Sequence, residues 1–293
     1  MQSIILTGST GFLGSRILNR LLMNTDYKLI LIHKDSANIE KMPLQGRIDY
    51  VCEKTLEPYF NDYFGEILGA IHAATEYGRS GNEIEKVLKC NLTLPIKILN
   101  ILKIRNCRFF INAESFFNKS NNLYTYLLDY SSAKKSLRYW LQSAANDLVV
   151  INLYLEHIYG EKDSDKKFIP SLIKELKIKD SQAIKLSKGI QVRDFLYVED
   201  AAESFLKALT YALKSPNGLY EFEIGTGIGT TLFDFCNIVK IGLKSDRELN
   251  FGALDYRKDE IMRSVANIEM NHILNWHAQT SLDTGISKIL GSL

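Results

Sequence analysis

Tyr130 and Lys134 stand four places apart in the run Tyr130-Ser131-Ser132-Ala133-Lys134. On a helix that spacing puts both side chains on one face. An ammonium held near a phenol stabilises the phenolate and lowers the tyrosine pKa, which makes the group a proton donor or acceptor near neutrality. Tyr50 and Lys54 repeat the spacing, but in a strand and loop, where residues four apart do not face one another. Tyr130 and Lys134 are therefore the candidate catalytic pair, the alternative being a chance pair on a solvated face. A second candidate is the stretch Thr7-Gly8-Ser9-Thr10-Gly11-Phe12-Leu13-Gly14. The apolar run Ile4-Ile5-Leu6 precedes it, and a segment with Ile17, Leu18, Leu21 and Leu22 on one face follows. Strand, glycine turn and helix start together open a dinucleotide-binding βαβ unit. Gly8 would permit the sharp turn, Gly11 would let the backbone approach a pyrophosphate, and Gly14 would let the helix lie close on the sheet. Thr10, Phe12 and Leu13 complete the cradle, and the anion would sit at the positive end of the helix. The bland alternative is a glycine loop that only turns a corner.

His33 and Lys34 close the second apolar run. Folds that prefer NAD often place a carboxylate at this point for the ribose 2′-hydroxyl, whereas a basic pair would accept a 2′-phosphate. NADP(H) is the expected cofactor, with NAD the alternative should Asp35 serve the ribose.

These residues need a frame, and the first half of the chain supplies one. Strands are expected at Leu29–Ile32, Ile48–Val51, Ile67–Ala74, Phe109–Ala113 and Leu148–Leu153. Helices are expected after the glycine turn, over Ile84–Ile104 and over Tyr130–Ala145. Short apolar strands alternating with amphipathic helices predict a parallel sheet covered on both faces, an α/β doubly wound (Rossmann) fold. Ligands then bind at the C-terminal ends of the strands, where the loops after Leu6, Ile32, Ala73 and Ala113 converge. The second half is less regular, with helices from Phe168, over Glu199–Leu213 and over Thr231–Leu243, and a strand near Leu219–Ile224. The expected division is a nucleotide-binding domain over 1–155 with returning elements about 190–225. A smaller C-terminal substrate-binding lobe takes 156–189 and 226–293.

At 293 residues the chain can bury a large core, and a net charge of +2 gives no field that would draw nucleic acid or an anionic membrane. No apolar run has the length of a membrane span. A strand at Ile4 leaves no room for a signal peptide, so a cytoplasmic location is expected. Cys52, Cys90, Cys107 and Cys236 form no C-x-x-C pair, which predicts reduced thiols and no metal site.

Taken together, the glycine turn and the Tyr130/Lys134 pair resemble the extended short-chain dehydrogenase/reductase family of nucleotide-sugar epimerases, dehydratases and ketoreductases, and the resemblance covers nearly the whole chain. His72-Ala73-Ala74 is similar to the family's segment after the fourth strand, where backbone lies against the cofactor. Asn91 is similar to an asparagine in the following helix. Arg193-Asp194-Phe195-Leu196-Tyr197-Val198-Glu199-Asp200 resembles the family's Arg-Asp-(aromatic)-x-x-Val-x-Asp stretch, and Tyr256-Arg257-Lys258-Asp259-Glu260 its late arginine segment. The resemblance implies that Arg193 and Arg257 contact the phosphates of a nucleotide sugar, a task that suits planar guanidinium groups.

Three departures qualify it. The family's Ser or Thr after the fifth strand corresponds to Ser115, or to Glu114 if the alignment slips by one. The Thr-Asp-Glu run of 4,6-dehydratases is absent, so dehydration is not expected. Tyr154 and His157 replace the Arg and Asn of Arg-x-x-Asn-x-Tyr-Gly.

Within the family, His72 to Arg79 and Asn112 to Asn118 resemble segments of bacterial CDP-abequose and CDP-paratose synthases, whose products enter O-antigen lipopolysaccharide. Thr75, Tyr77, Arg79 and Glu114 are then candidate substrate contacts. The implied reaction is NADP(H)-dependent reduction of a nucleotide-linked 4-keto-6-deoxy hexose, with Tyr130 as general acid, Lys134 on the nicotinamide ribose and Ser115 polarising the ketone. The alternatives are a 4-epimerase with tightly held NAD, or a non-catalytic NADP(H)-binding protein. A homodimer through the helices around Glu85–Ile104 and Tyr130–Ala145 is also implied.

Overall fold

The computed structural model describes residues 1–34, 46–79, 84–119, 125–178 and 182–292. In chain order the first half comprises β1 (Ser3–Thr7), α1 (Phe12–Asn24), β2 (Lys28–His33), β3 (Ile48–Cys52), α2 (Leu56–Asp62), β4 (Ile67–His72), α3 (Ile84–Leu88), α4 (Leu94–Ile104), β5 (Phe109–Ser115), α5 (Leu128–Ala144) and β6 (Val149–Leu155). The second half contributes α6 (Phe168–Lys177), α7 (Val198–Ala212), α8 (Leu232–Gly242) and α9 (Leu282–Gly291). Its strand Gly218–Ile224 pairs with β6 and completes a seven-stranded sheet. Every pairing in that sheet is parallel, and from the Gly218–Ile224 edge the order runs β6, β5, β4, β1, β2, β3. This is a doubly wound α/β fold whose strand order reverses between β1 and β4, the place where such sheets bind ligands.

Side-chain alternation along the strands sorts the core into two layers. Ile4, Leu6, Leu29, Ile71, Ile111 and Ile151 face α1 and α7. Ile5, Ile30, Ala70, Phe110 and Val150 face α2, α4 and α5. On this second face the two-residue period also brings up a polar row, Thr7, His72, Asn112, Asn152 and Glu221, all level with one another in the strand register. Thr7 Oγ1 bonds His72 Nδ1 at 2.8 Å, and Asn112 Nδ2 donates to Asn152 Oδ1 at 2.7 Å. Glu221 at the edge holds Arg138 of α5 through two bonds of 2.8 and 2.6 Å. A separate apolar core joins α6, α8 and α9 to Tyr159, Phe195 and Tyr197.

Two departures from the sequence expectation bear on the site. β4 stops at His72 rather than Ala74, because its partner β1 ends at Thr7, and Ala74 N donates to the Thr7 side chain instead. The expected Ile84–Ile104 helix is interrupted by a π-helical turn, Lys89–Thr93. Such an extra-residue turn redirects side chains locally. Here it carries Asn91, whose Nδ2 donates to the carbonyls of Glu76 and Val87. No described helix is long and apolar enough to cross a membrane.

Candidate active site

The glycine turn is built by contact rather than by flexibility alone. Gly8 has φ +76°, and a Cβ there would lie 2.6 Å from Ala74 N. The turn therefore packs directly against the loop after β4. At Gly14 a Cβ would meet the Gly8 carbonyl oxygen at 1.9 Å, so any side chain would push α1 off the turn. α1 begins after Gly11 with no side-chain cap, which leaves first-turn N–H groups facing the cavity. That arrangement suits a diphosphate, and the residues present fit a bound dinucleotide.

A cavity of about 1430 Å³ runs from this turn across the strand ends into the second half of the chain. Its cofactor-side wall includes Gly8, Thr10, Gly11, Phe12, Leu13 and Gly14, then His33 and Lys34, then Ala73 and Ala74. The middle carries Thr75, Tyr77, Arg79, Glu114, Ser115 and Tyr130, and the far side Arg193 and Arg257. The fold thus gathers nearly all the residues singled out in the sequence around one space. His72 and Lys134 are the exceptions. Both are buried behind the wall. Asp35, the alternative ribose ligand, lies outside the described residues. Lys34 reaches Glu76 at 3.6 Å.

Lys134, expected beside the phenol, takes a backbone partner on β5. The Lys134 ammonium donates to the Ala113 carbonyl, and the charges acting on it are those of Glu114 and Cys90. Burial, with the neighbouring Tyr77 and Glu114, pushes the Tyr130 phenol well above its ordinary pKa, and the nearby Ser115 and Thr75 hydroxyls only partly oppose this. The phenol is therefore neutral and carries its proton. Its ring sits in a small apolar cluster with Val87, Leu127 and Ala133, 4.9 Å from the Tyr77 ring.

Ser115 ends β5, its hydroxyl accepts from Phe117 N at 3.3 Å, and so it caps the short helical turn Phe116–Asn118. Beside it Glu114 is buried. Its Oε1 accepts from Ser115 N at 2.7 Å and from Asn118 Nδ2 at 3.1 Å, while Oε2 has no partner. Burial raises its pKa, against the pull of Lys134.

On the far side Arg193 is buried and paired with Glu260, while its neighbour Asp194 accepts from Thr226, Gly227 and Ala266. In that Arg-Asp pair, then, one residue faces the cavity and the other ties three loops together. Arg257 lies over the Tyr126 ring at 3.9 Å, and Arg79 over Tyr77 at 4.8 Å.

Several cavity groups were given no role by the sequence reading. Gln191 Oε1 and Tyr256 Oη are buried on the wall without partners. His157 stacks on Phe116 at 4.2 Å. Its Nδ1 stands 3.8 Å from Glu156, too long for a hydrogen bond. Burial lowers its pKa. Glu260, the partner of Arg193, has no spacing signal because the two lie far apart in the chain.

Residues 4–225 match the model of the NAD dependent epimerase/dehydratase family. The chain belongs to that family. It is 32% identical to a CDP-abequose synthase of Salmonella muenchen, over 99% of this chain and 97% of the relative. It is 30% identical to a CDP-abequose synthase of Salmonella typhimurium, over 100% and 98%. Among solved structures, UDP-glucose 4-epimerase of Thermotoga maritima with UDP-glucose superposes with a TM-score of 0.81 at 21% identity, covering 99% of this chain and 97% of that one. MoeE5 in complex with UDP-glucuronic acid and NAD gives 0.81 at 18% identity, covering 99% and 98%. At such identities the structural likeness speaks for the fold. The chain is thus a member of an enzyme family whose work depends on a nicotinamide dinucleotide.

Proposed function

We propose that this protein reduces the C4 ketone of a nucleotide-linked 4-keto-6-deoxy hexose, a CDP-3,6-dideoxyhexose foremost, using NADPH. The observation that carries the reading is that the neutral Tyr130 phenol lies on the wall of a single cavity, between the glycine cradle and the two arginines. The full-length relationship to CDP-abequose synthases supports the choice of sugar.

Bound NADPH supplies a hydride to C4. Tyr130 gives its proton to the oxygen that becomes the hydroxyl, so the ketone gains one hydride and one proton. Ser115, at the end of β5, polarises the ketone, and Lys134 is assigned to the nicotinamide ribose. His33 and Lys34 favour a 2′-phosphate, and Arg193 and Arg257 hold the sugar's diphosphate. Segments 156–189 and 226–293 form the substrate lobe. A cytoplasmic homodimer is part of the reading, its contact placed on α4 and α5, which expose Ile104, Tyr139 and Trp140.

The test is incubation of purified protein with CDP- and dTDP-4-keto sugars and NADPH, followed at the nicotinamide absorbance. Stoichiometric NADPH oxidation with a CDP sugar is the expected result. A dinucleotide that survives purification, with no net consumption of NADPH, would replace the reductase by a 4-epimerase. Light scattering that shows only monomer would remove the dimer.

A further inference from the structure

We infer that Glu260 is an internal competitor of the nucleotide sugar: its carboxylate holds the Arg193 guanidinium, and a diphosphate gains that guanidinium only by displacing it. This rests on the reading of Arg193 as a diphosphate ligand.

Of the two partners, Arg193 is the one that cannot move. It closes the short strand Val192–Arg193, which pairs on both sides, Val192 with Thr231 and Arg263, and Arg193 with Thr230 and Ser264. Asp194, next in the chain, accepts from Thr226, Gly227 and Ala266. The Arg193 side chain is 8% exposed. Its Nη1 donates to the Val192 carbonyl at 2.9 Å, and its Nη2 to Glu260 Oε1. The carbonyl belongs to the fixed strand, so it stays where it is.

Glu260 can give way. It ends a four-residue turn that begins at Arg257 and is closed by Glu260 N donating to the Arg257 carbonyl at 3.1 Å. Within the turn Asp259 has φ +57°, uncommon for any residue but glycine. The turn is tied down at the protein surface, where Asp259 accepts from Thr125 at 2.8 Å and Arg257 lies over the Tyr126 ring. Rotation about the glutamate side-chain bonds carries the carboxylate off Arg193 and leaves those ties intact. Arg193, Arg257 and Glu260 all line the one cavity. The same turn thus supplies one arginine and the carboxylate that occupies the other.

Charge sets the direction of the exchange. Glu260 brings one negative charge and a diphosphate brings more, in oxygens that a guanidinium fork grips two at a time. Breaking the existing pair lowers the net affinity. Without Glu260 the buried guanidinium lacks a counter-charge, and a diphosphate then supplies it. Substrate and product carry the same diphosphate, so the carboxylate retakes Arg193 as either one leaves. A glutamate that only oriented Arg193 for phosphate would have the opposite effect, because its removal would weaken binding.

Calorimetric titration of the purified chain with CDP compares wild type, Glu260→Gln, Arg193→Gln and the double variant. Glu260→Gln should bind CDP about tenfold more tightly; equal or weaker binding overturns the inference. Arg193→Gln should bind it about tenfold more weakly, and adding Glu260→Gln to that background should change the dissociation constant less than about twofold. A like gain in both backgrounds is a general effect of charge and also overturns the inference. Binding unchanged in Arg193→Gln ends the diphosphate reading of Arg193, and the inference with it. Binding lost in Arg193→Gln with no gain in Glu260→Gln removes the inference alone. If glutamine at 260 prevents folding, Glu260→Ala takes its place with the same criteria. dTDP replaces CDP if wild type binds only that, and a wild type that binds neither ends both readings.

Discussion

Lys134 lies one helical turn after Tyr130 on α5, yet its ammonium is bonded to the Ala113 carbonyl of β5, while the Tyr130 ring packs 4.9 Å from that of Tyr77. Helix and sheet are therefore clamped together directly behind the acid. The lysine acts as a buried strut in this arrangement, and burial, with Tyr77 and Glu114 close by, holds the tyrosine's pKa above its ordinary value.

Tyr130→Phe removes the proton donor and nothing else of that clamp. Turnover should fall by roughly two to four orders of magnitude, while the dissociation constant for NADPH changes less than about twofold. Steady-state kinetics with fluorescence titration of the cofactor check both; a phenylalanine protein that turns over normally removes the role.

Gly14→Ala and Gly11→Ala should separate folding from binding. The added methyl at position 14 meets backbone at 1.9 Å, whereas at position 11 the nearest contact is 3.2 Å. Overpacking against a carbonyl that cannot rotate away costs about 1–3 kcal/mol or more, so Gly14→Ala should unfold at markedly lower urea. Gly11→Ala should keep most of its stability and lose NADPH affinity. Equal stability losses in the two variants would contradict this.

Lys34→Ala tests the cofactor preference. The side chain is exposed and its ion pair with Glu76 is long, so screening limits its worth. We expect NADPH to bind about tenfold more weakly, with NADH unaffected. Tighter binding of NAD than of NADP by the unaltered protein would reverse the assignment.

His72 makes stability depend on pH. It is fully buried, and burial, aided by the Lys134 charge, holds its pKa well below the ordinary 6.5. As pH falls below about 6.5 the unfolded chain takes up a proton that the native imidazole refuses. The unfolded state then binds more protons, so stability falls as pH falls, by up to about 1.4 kcal/mol per unit from this group. Urea midpoints between pH 7.5 and 5.5 should show the trend, and His72→Asn should flatten it. An unchanged slope in the asparagine protein would show that other groups cause it.

The seven parallel strands were legible because Ile4-Ile5-Leu6, Leu29–Ile32 and Phe109–Ile111 are short apolar runs, and such runs are what a doubly covered sheet demands. The cavity wall was legible where a motif has a backbone reason, as at Gly8 and Gly14. It was hidden where partners meet through the fold: Arg193 with Glu260, Thr75 with Asn91, Phe116 with His157. The Tyr130/Lys134 spacing put both residues on α5, but four-residue periodicity records a shared face and not which neighbour on β5 claims the ammonium. The π turn at Lys89–Thr93 has no periodic signature in a window already apolar on several sides.

The level row Thr7, His72, Asn112, Asn152 and Glu221 has a bearing on anyone who redesigns this protein. Aliphatic contacts tolerate a strand sliding past its neighbour; amide-to-amide and hydroxyl-to-imidazole contacts do not, since a slip of one residue would turn them all to the opposite side. The row thus works as a set of alignment pins, and the heights of Ala113 and Ser115, one and three places beyond Asn112, are inherited from it. Replacing Asn152 by leucine in pursuit of a drier interior would loosen that gauge, and the error would surface on the neighbouring strand, at the rim where the tyrosine waits.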